Sequence, residues 1–228
     1  MEQNLSKKTR TESDLIGSRE VPESALYGVQ TLRGIENFRI SKFHLNEYPL
    51  FIQALAITKM GAAVANRELD LLTEEQADAI LKACKEILEG KHHDQFPVDM
   101  IQGGAGTTTN MNANEVIANR ALELMGHQRG EYQYCSPNDH VNRSQSTNDA
   151  YPTAIHIGLY YTHLKLVKHF EVLIESFRKK ATEFAHVIKM GRTQLEDAVP
   201  MTLGQTFNGF ASILRHEVKN LDFAAQDF

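Results

Sequence analysis

The sequence predicts a mainly α protein, in which a small N-terminal α-rich domain leads into the start of a long-helix bundle. Three observations predict this. From Pro49 onward apolar residues recur at helical spacing over most of the chain. Capping and stop signals bound those stretches. One amphipathic run, from about Asn148 to Ala185, is much longer than an ordinary globular helix.

Residues 1 to about 47 are broken by Gly17, Pro22, Gly28 and Gly34, which predicts short extended pieces and turns, with Phe38–Ile40 as a strand. From Pro49 a helix is expected with Leu50, Ala54, Ile57, Met60, Gly61 and Val64 on its apolar face. Thr73-Glu-Glu-Gln76 reads as a capping box opening a helix that buries Ala77, Ile80, Leu81, Cys84, Ile87 and Leu88 and stops at Gly90. Asn112 to Met125 gives another, with Val116, Ile117, Ala121 and Leu124 inward and Gly126 ending it.

The long helix is expected to begin just before Pro152, which is tolerated in a first turn. Leu166, Phe170, Leu173, Phe177 and Phe184 form one stripe along it, and Tyr160, Leu164, Val167, Ile174 and Ala181 a second. At 1.5 Å per residue it spans roughly 55 Å. Two adjacent stripes on such a rod suggest packing against copies of itself. A polar turn over 189–197 and a helix from Met201 follow. Helical periodicity is unbroken at Phe228, so the expectation is that the chain has been cut there. The domain boundary falls between residues 145 and 146, with 1–145 an N-terminal domain carrying an anion-binding loop and 146–228 the beginning of a central helical bundle.

With 42% hydrophobic and 23% charged residues, the composition is that of a soluble globular protein. A net charge of −5 and the lack of a Lys/Arg block argue against nucleic acid or anionic membrane as a partner. Neither a signal-peptide core nor a membrane-length apolar run is present, so the expected location is cytoplasmic. Cys84 and Cys135 form no C-x-x-C pair and read as reduced thiols.

Two polar clusters stand directly ahead of helices: Gly103-Gly-Ala-Gly-Thr-Thr-Thr-Asn110 and Ser144-Gln-Ser-Thr-Asn-Asp149. Helix starts gather unpaired N–H groups and the positive end of the dipole, so each is an anion site in waiting, and two would hold two carboxylates. Each is also open to a plainer reading, as a flexible turn or N-cap. The glycine run is not a P-loop, since no Gly-Lys-Ser/Thr follows it, and it lacks a dinucleotide β-α-β context. The ten histidines are scattered; His92-His93 reads as a solvated loop, and His156, His163 and His169 lack ligand spacing. No metal and no cofactor are expected. Arg19, Arg33, Lys189 and Arg192 are the cationic candidates, each also readable as a surface residue.

Taken in order, Arg19-Glu-Val-Pro22, Tyr27-Gly-Val-Gln-Thr31, Gln95-Phe-Pro-Val-Asp99, Gln102 through Asn112, Asn114 through Asn119, Ser136 through Asn142, Ser144 through Asp149 and Gly191 through Ala198 resemble the fumarase/aspartase superfamily from about residue 12 onward. The resemblance implies a fumarase/aspartase-like fold and elimination chemistry that yields fumarate. It implies that Thr107, Ser146, Thr147, Asn148, Thr193 and Gln194 bind substrate, at sites where three subunits of a homotetramer meet. Ser136–Asp139 resemble a secondary carboxylate site of fumarases. Where class II fumarases carry a histidine after Gly-Arg-Thr, this chain has Gln194, which does not titrate. That favours the ammonia-lyase branch, with L-aspartate and fumarate as ligands, over the hydratases. The family's catalytic base is a serine on a loop downstream of anything in this sequence, so no catalytic residue is expected here and this chain alone is expected to be inactive. Two alternatives stay open: a fumarase-type hydratase, and a truncated, non-catalytic assembly partner of full-length subunits.

Overall fold

The computed structural model describes residues 8–227. Strands β1 (Thr9–Asp14) and β2 (Gly17–Pro22) form an antiparallel hairpin. Helix α1 (Val29–Asn37) follows, and from it Arg33 grips the hairpin's end, its Nε and Nη2 meeting both Asp14 oxygens at 2.8 and 2.9 Å. The strand expected over Phe38–Ile40 is absent; the segment is irregular and Ile40 is exposed.

Helices α2 (Pro49–Glu68), α3 (Glu74–Leu88) and α4 (Thr107–Leu124) pack in sequence around the main core. The expected capping box forms, Thr73 Oγ1 accepting from Gln76 N–H and Gln76 Oε1 from Thr73 N–H. Gly90 and Gly126 leave α3 and α4 with φ of 88° and 83°, the left-handed turn for which glycine is suited.

The inward face of α2 is rotated from the expected one. Ile52, Ala54, Leu55, Ala56, Lys59, Ala63 and Asn66 are buried, so of the expected face only Ala54 is fully inward; Gly61 is exposed and Leu50, Ile57, Met60 and Val64 lie part-way in. A lysine and an asparagine occupy the buried stripe, which is why apolar periodicity alone selects the wrong one. Helix α4 starts five residues before the expected Asn112 and is buried nearly all round, with Asn110, Asn112, Asn114, Glu115 and Asn119 among its buried residues. Leu124, expected inward, is 37% exposed at its end. The polar side chains anchor neighbouring segments: Glu115 accepts the N–H groups of Gly28, Gln30 and Thr31, and Asn119 Nδ2 donates to Leu26 O at 2.7 Å.

Helix α5 (Thr147–Glu183) is continuous, and Pro152 is its sixth residue rather than a first-turn one. Proline there removes only the bond to the carbonyl of Asn148, in the second position, so the cost is confined to the end of the helix. The chain divides into two compact units, one ending at Gly158 and the other running Leu159–Phe228.

In the second unit the expected polar turn is a hairpin, β3 (Ile188–Thr193) paired antiparallel with β4 (Glu196–Thr202). It is mostly exposed: in β3 the inward positions are the lysine Lys189 and the glycine Gly191, and β4 is exposed from Glu196 to Pro200, so no apolar face marks either strand. Helix α6 (Leu203–Ala224) opens on a second capping box, Thr202 with Gln205. Phe207 and Phe210 cover Phe177 and Phe184 of α5, with ring centroids 5.6–6.0 Å apart. Both stripes of α5 are covered only in part: Ile174 is buried and Phe177 and Phe184 are half-buried, while Tyr160, Leu164, Leu166 and Leu173 are 41–46% exposed.

Candidate active site

In the first unit, the loop before α4 and the start of α5 line one cleft. Gly104, Gly106, Asn148, Tyr151 and Pro152 are among its walls, and its volume is about 690 Å3. Gly104 and Gly106 carry φ of 74° and 86°. A Cβ on Gly106 would also run into the Tyr151 ring, so glycine is required twice over. Thr107 follows directly as the first residue of α4 and is exposed. Gln102 ties the loop back to the helix: Oε1 accepts Thr109 N–H at 2.9 Å and Nε2 donates to Thr109 Oγ1 at 2.7 Å. Asp99 fixes the loop's root, accepting from Ile101, Ile40 and Ser41 N–H and from Ser41 Oγ; these bonds hold its carboxyl well below the usual range, at about 2, against the opposing effect of desolvation.

At the other wall Ser146 caps α5. Its Oγ accepts Asn148 N–H at 3.2 Å and its carbonyl accepts Asp149 and Ala150 N–H. Asn148 is exposed to the cleft, and Thr147 is half-buried with its Oγ1 accepting from Asn110 Nδ2 at 3.0 Å. Thr107, Ser146, Thr147 and Asn148 thus stand at two helix starts in one unit. Thr193 and Gln194 belong to the other unit, at the tip of the β3–β4 hairpin, where Gln194 has φ of 54°.

Beneath Thr147 lies a polar network in which sequence reasoning assigned no role. Lys59 Nζ, on a residue 1% exposed, donates to Asn110 Oδ1 at 2.8 Å, Asn142 Oδ1 at 2.9 Å and Gln145 Oε1 at 3.0 Å. Asn142 Oδ1 also accepts from Asn110 and Asn114, both at 3.1 Å. No carboxylate pairs with Lys59 among the described residues. Burial pulls its pKa down to about 7, although three acceptor oxygens are all satisfied only by the ammonium form. The signal was in the sequence: a lysine seven residues after Ile52 and four before Ala63, on the buried stripe of a helix.

The remaining candidates resolve locally. Ser136–Asp139 is tied within itself, Ser136 Oγ meeting Asp139 N–H at 3.1 Å and Asp139 Oδ2 at 3.0 Å. His92 and His93 sit half-exposed on the turn after α3 and each has a local partner: His92 Nε2 is 3.0 Å from Glu86, and His93 Nε2 is 2.8 Å from the Ile87 carbonyl. Arg33 serves the β1–β2 hairpin, Arg19 lies 3.6 Å from Glu36, and Arg192 lies 3.8 Å from Asp197. Cys84 and Cys135 are buried thiols pushed up to about 12, unsuited to nucleophilic work at neutral pH. No group of three His, Cys, Asp or Glu side chains placed to hold a metal occurs among the described residues. No helix among them is long and apolar enough to cross a membrane.

A lyase family model matches residues 17–227. The chain belongs to that lyase family. Among curated proteins it is 56% identical to aspartate ammonia-lyase of Escherichia coli K12, over 97% of this chain and 47% of that protein. It is 57% identical to aspartate ammonia-lyase of Helicobacter pylori J99, over 93% of this chain and 45% of that one. Among solved structures, a fumarate lyase:delta crystallin from Brucella melitensis superposes with a TM-score of 0.94 at 51% identity, covering 96% of this chain and 51% of its own. Class II fumarase from Schistosoma mansoni gives 0.85 at 38% identity, over 93% and 44%. The lyase sequence in hand therefore spans about half the length of the curated relatives it matches.

Proposed function

We propose that this lyase chain is the substrate-anchoring part of an aspartate ammonia-lyase, which reversibly eliminates ammonia from L-aspartate to give fumarate. The observation that carries the reading is the cleft onto which the starts of α4 and α5 both open, in a chain so similar to proteins of that name. Thr107, Ser146, Thr147, Asn148, Thr193 and Gln194 are the proposed substrate-binding residues. The base, a serine by family resemblance, is proposed to lie in the part of the relatives' length that this chain does not span. The proposal extends to a cytoplasmic homotetramer, and to a domain boundary between residues 145 and 146 with the central bundle beginning at 146.

The chemistry explains the need for such donors. Removing a proton from the carbon beside a carboxylate leaves a carbanion stabilised as an aci-carboxylate, whose oxygens carry extra negative charge. Donors already aimed at that charge contribute about 3–4 kcal/mol each in comparable sites. Thr107, Ser146, Thr147 and Asn148 supply hydroxyl and amide donors, and the helix dipoles reinforce them. Gln194 both donates and accepts hydrogen bonds but takes up no proton.

Fumarate absorbance of the full-length protein, supplied separately with L-aspartate and L-malate, tests the reading. Fumarate from aspartate alone supports it. Fumarate from malate alone would make the protein a hydratase and remove the significance given to Gln194.

A further inference from the structure

Resting on the reading of Thr147 as a carboxylate ligand, we infer that Asn110 is a positioning residue, which turns the Thr147 hydroxyl into an outward-facing donor under orders from buried Lys59. The argument is one of donor and acceptor inventory. An ammonium carries three donors and no acceptor, so the atom of Asn110 that faces Lys59 at 2.8 Å must be its oxygen. That settles the amide's orientation, and its NH2 group then faces Thr147 Oγ1 at 3.0 Å and Asn142 Oδ1 at 3.1 Å.

A threonine hydroxyl has one hydrogen. Because Oγ1 is engaged as an acceptor from Asn110, that hydrogen points away from Asn110, and no bond donated by Thr147 Oγ1 is found among the described residues. Its rotor is therefore biased before any ligand arrives, so the entropy and reorganisation of orienting it are not paid again on binding.

The relay is held on every side. Asn110 is 1% exposed, and Asn142, which orients the second face of its amide, is pinned in turn by Gln145 O through Nδ2 at 3.0 Å. Lys59 has no carboxylate partner among the described residues. Its charge is directed through a polarised amide toward the start of α5, where a carboxylate ligand would supply the missing counter-charge.

A double-mutant cycle on the full-length protein tests this, with calorimetric titration of succinate as a non-reacting dicarboxylate probe. Thr147→Val and Asn110→Ala are each expected to weaken succinate about tenfold. The double variant should be no weaker than Thr147→Val alone, since Asn110 has nothing left to orient. A residue that merely held the fold would damage the other contacts too, and the losses would multiply to about a hundredfold.

Multiplying losses, an Asn110→Ala variant that binds like wild type, or a wild type that binds no succinate would each overturn the relay. If Asn110→Ala loses its cooperative thermal transition, Asn110→Asp takes its place in the cycle. It keeps size and gives Lys59 an acceptor, but offers Thr147 no donor, and its loss should likewise vanish in the Thr147→Val background. Fumarate release from aspartate by wild type is followed separately. Multiplying losses with fumarate released sink the relay alone; coupled losses without fumarate sink the ammonia-lyase reading alone.

Discussion

Gln102 grips Thr109 with both ends of its amide, accepting the backbone N–H at 2.9 Å and donating to the hydroxyl at 2.7 Å. Loop and helix are thereby stapled across the six residues 103–108, of which Gly104, Ala105 and Gly106 line the cleft. Gln102→Ala is expected to cost about 1–2 kcal/mol in thermal unfolding, the two bonds being partly replaced by water. Because the loop carries one wall of the cleft, succinate affinity should fall as well. Stability lost with affinity intact would show that the staple serves the fold only.

Gly106 and Gly61 give opposite expectations for the same substitution. Gly106→Ala forces alanine into φ of 86° and into the Tyr151 ring, so a loss of about 2 kcal/mol or more is expected. Gly61 lies mid-helix in α2 with nothing within 4 Å of an added Cβ, and Gly61→Ala should gain about 0.5–1 kcal/mol. Denaturant midpoints of the two variants check both signs, and equal effects would contradict the geometry.

Much of this was legible in the sequence, because the signals were local. The Thr73–Gln76 box, the stops at Gly90 and Gly126 and the length of α5 follow from short-range chemistry that tertiary packing left intact. What stayed hidden depended on partners distant in the chain. Asn110, Asn142 and Gln145 looked like ordinary polar residues of three separate motifs, and only the fold brings them to one buried lysine. The β3–β4 hairpin was hidden for another reason: its inward positions in β3 are a lysine and a glycine, Lys189 and Gly191, and most of β4 is exposed, so no apolar face marks it.

Glu86 is the hub of an ion-pair cluster, with Arg120 donating through Nε and Nη2 and His92 Nε2 at 3.0 Å. The Arg120 guanidinium holds its carboxyl down at about 2, against an ordinary 4.5. A carboxyl with a lowered folded-state pKa stabilises fully above its unfolded value, and this stabilisation is lost as pH falls through the folded one. Between about pH 4.5 and 2 the wild type should therefore lose stability more steeply than Glu86→Gln. At neutral pH that variant should be weaker by about 1–3 kcal/mol. Parallel acid-unfolding curves would remove Glu86 from the account.

Lys59 has the most distinctive expected signature, because stability and binding should move in opposite directions with pH. Its folded-state pKa is about 7 against 10.5 when unfolded, so between those values the unfolded chain holds more protons and stability rises with pH. The groups facing it from α4 and from the segment before α5, Asn110, Asn142 and Gln145, do not titrate. The Cys84 thiol of α3, pushed up to about 12, stays neutral across the window. Dicarboxylate affinity should fall over the same range, as the ammonium that orients Asn110 and attracts the anion is lost. Thermal midpoints and succinate titrations at about pH 6.5 and about pH 9 read both trends. In Lys59→Met the rise in stability should disappear. If wild type and variant ran parallel, Lys59 would be charged throughout, with its three amide oxygens outweighing its burial.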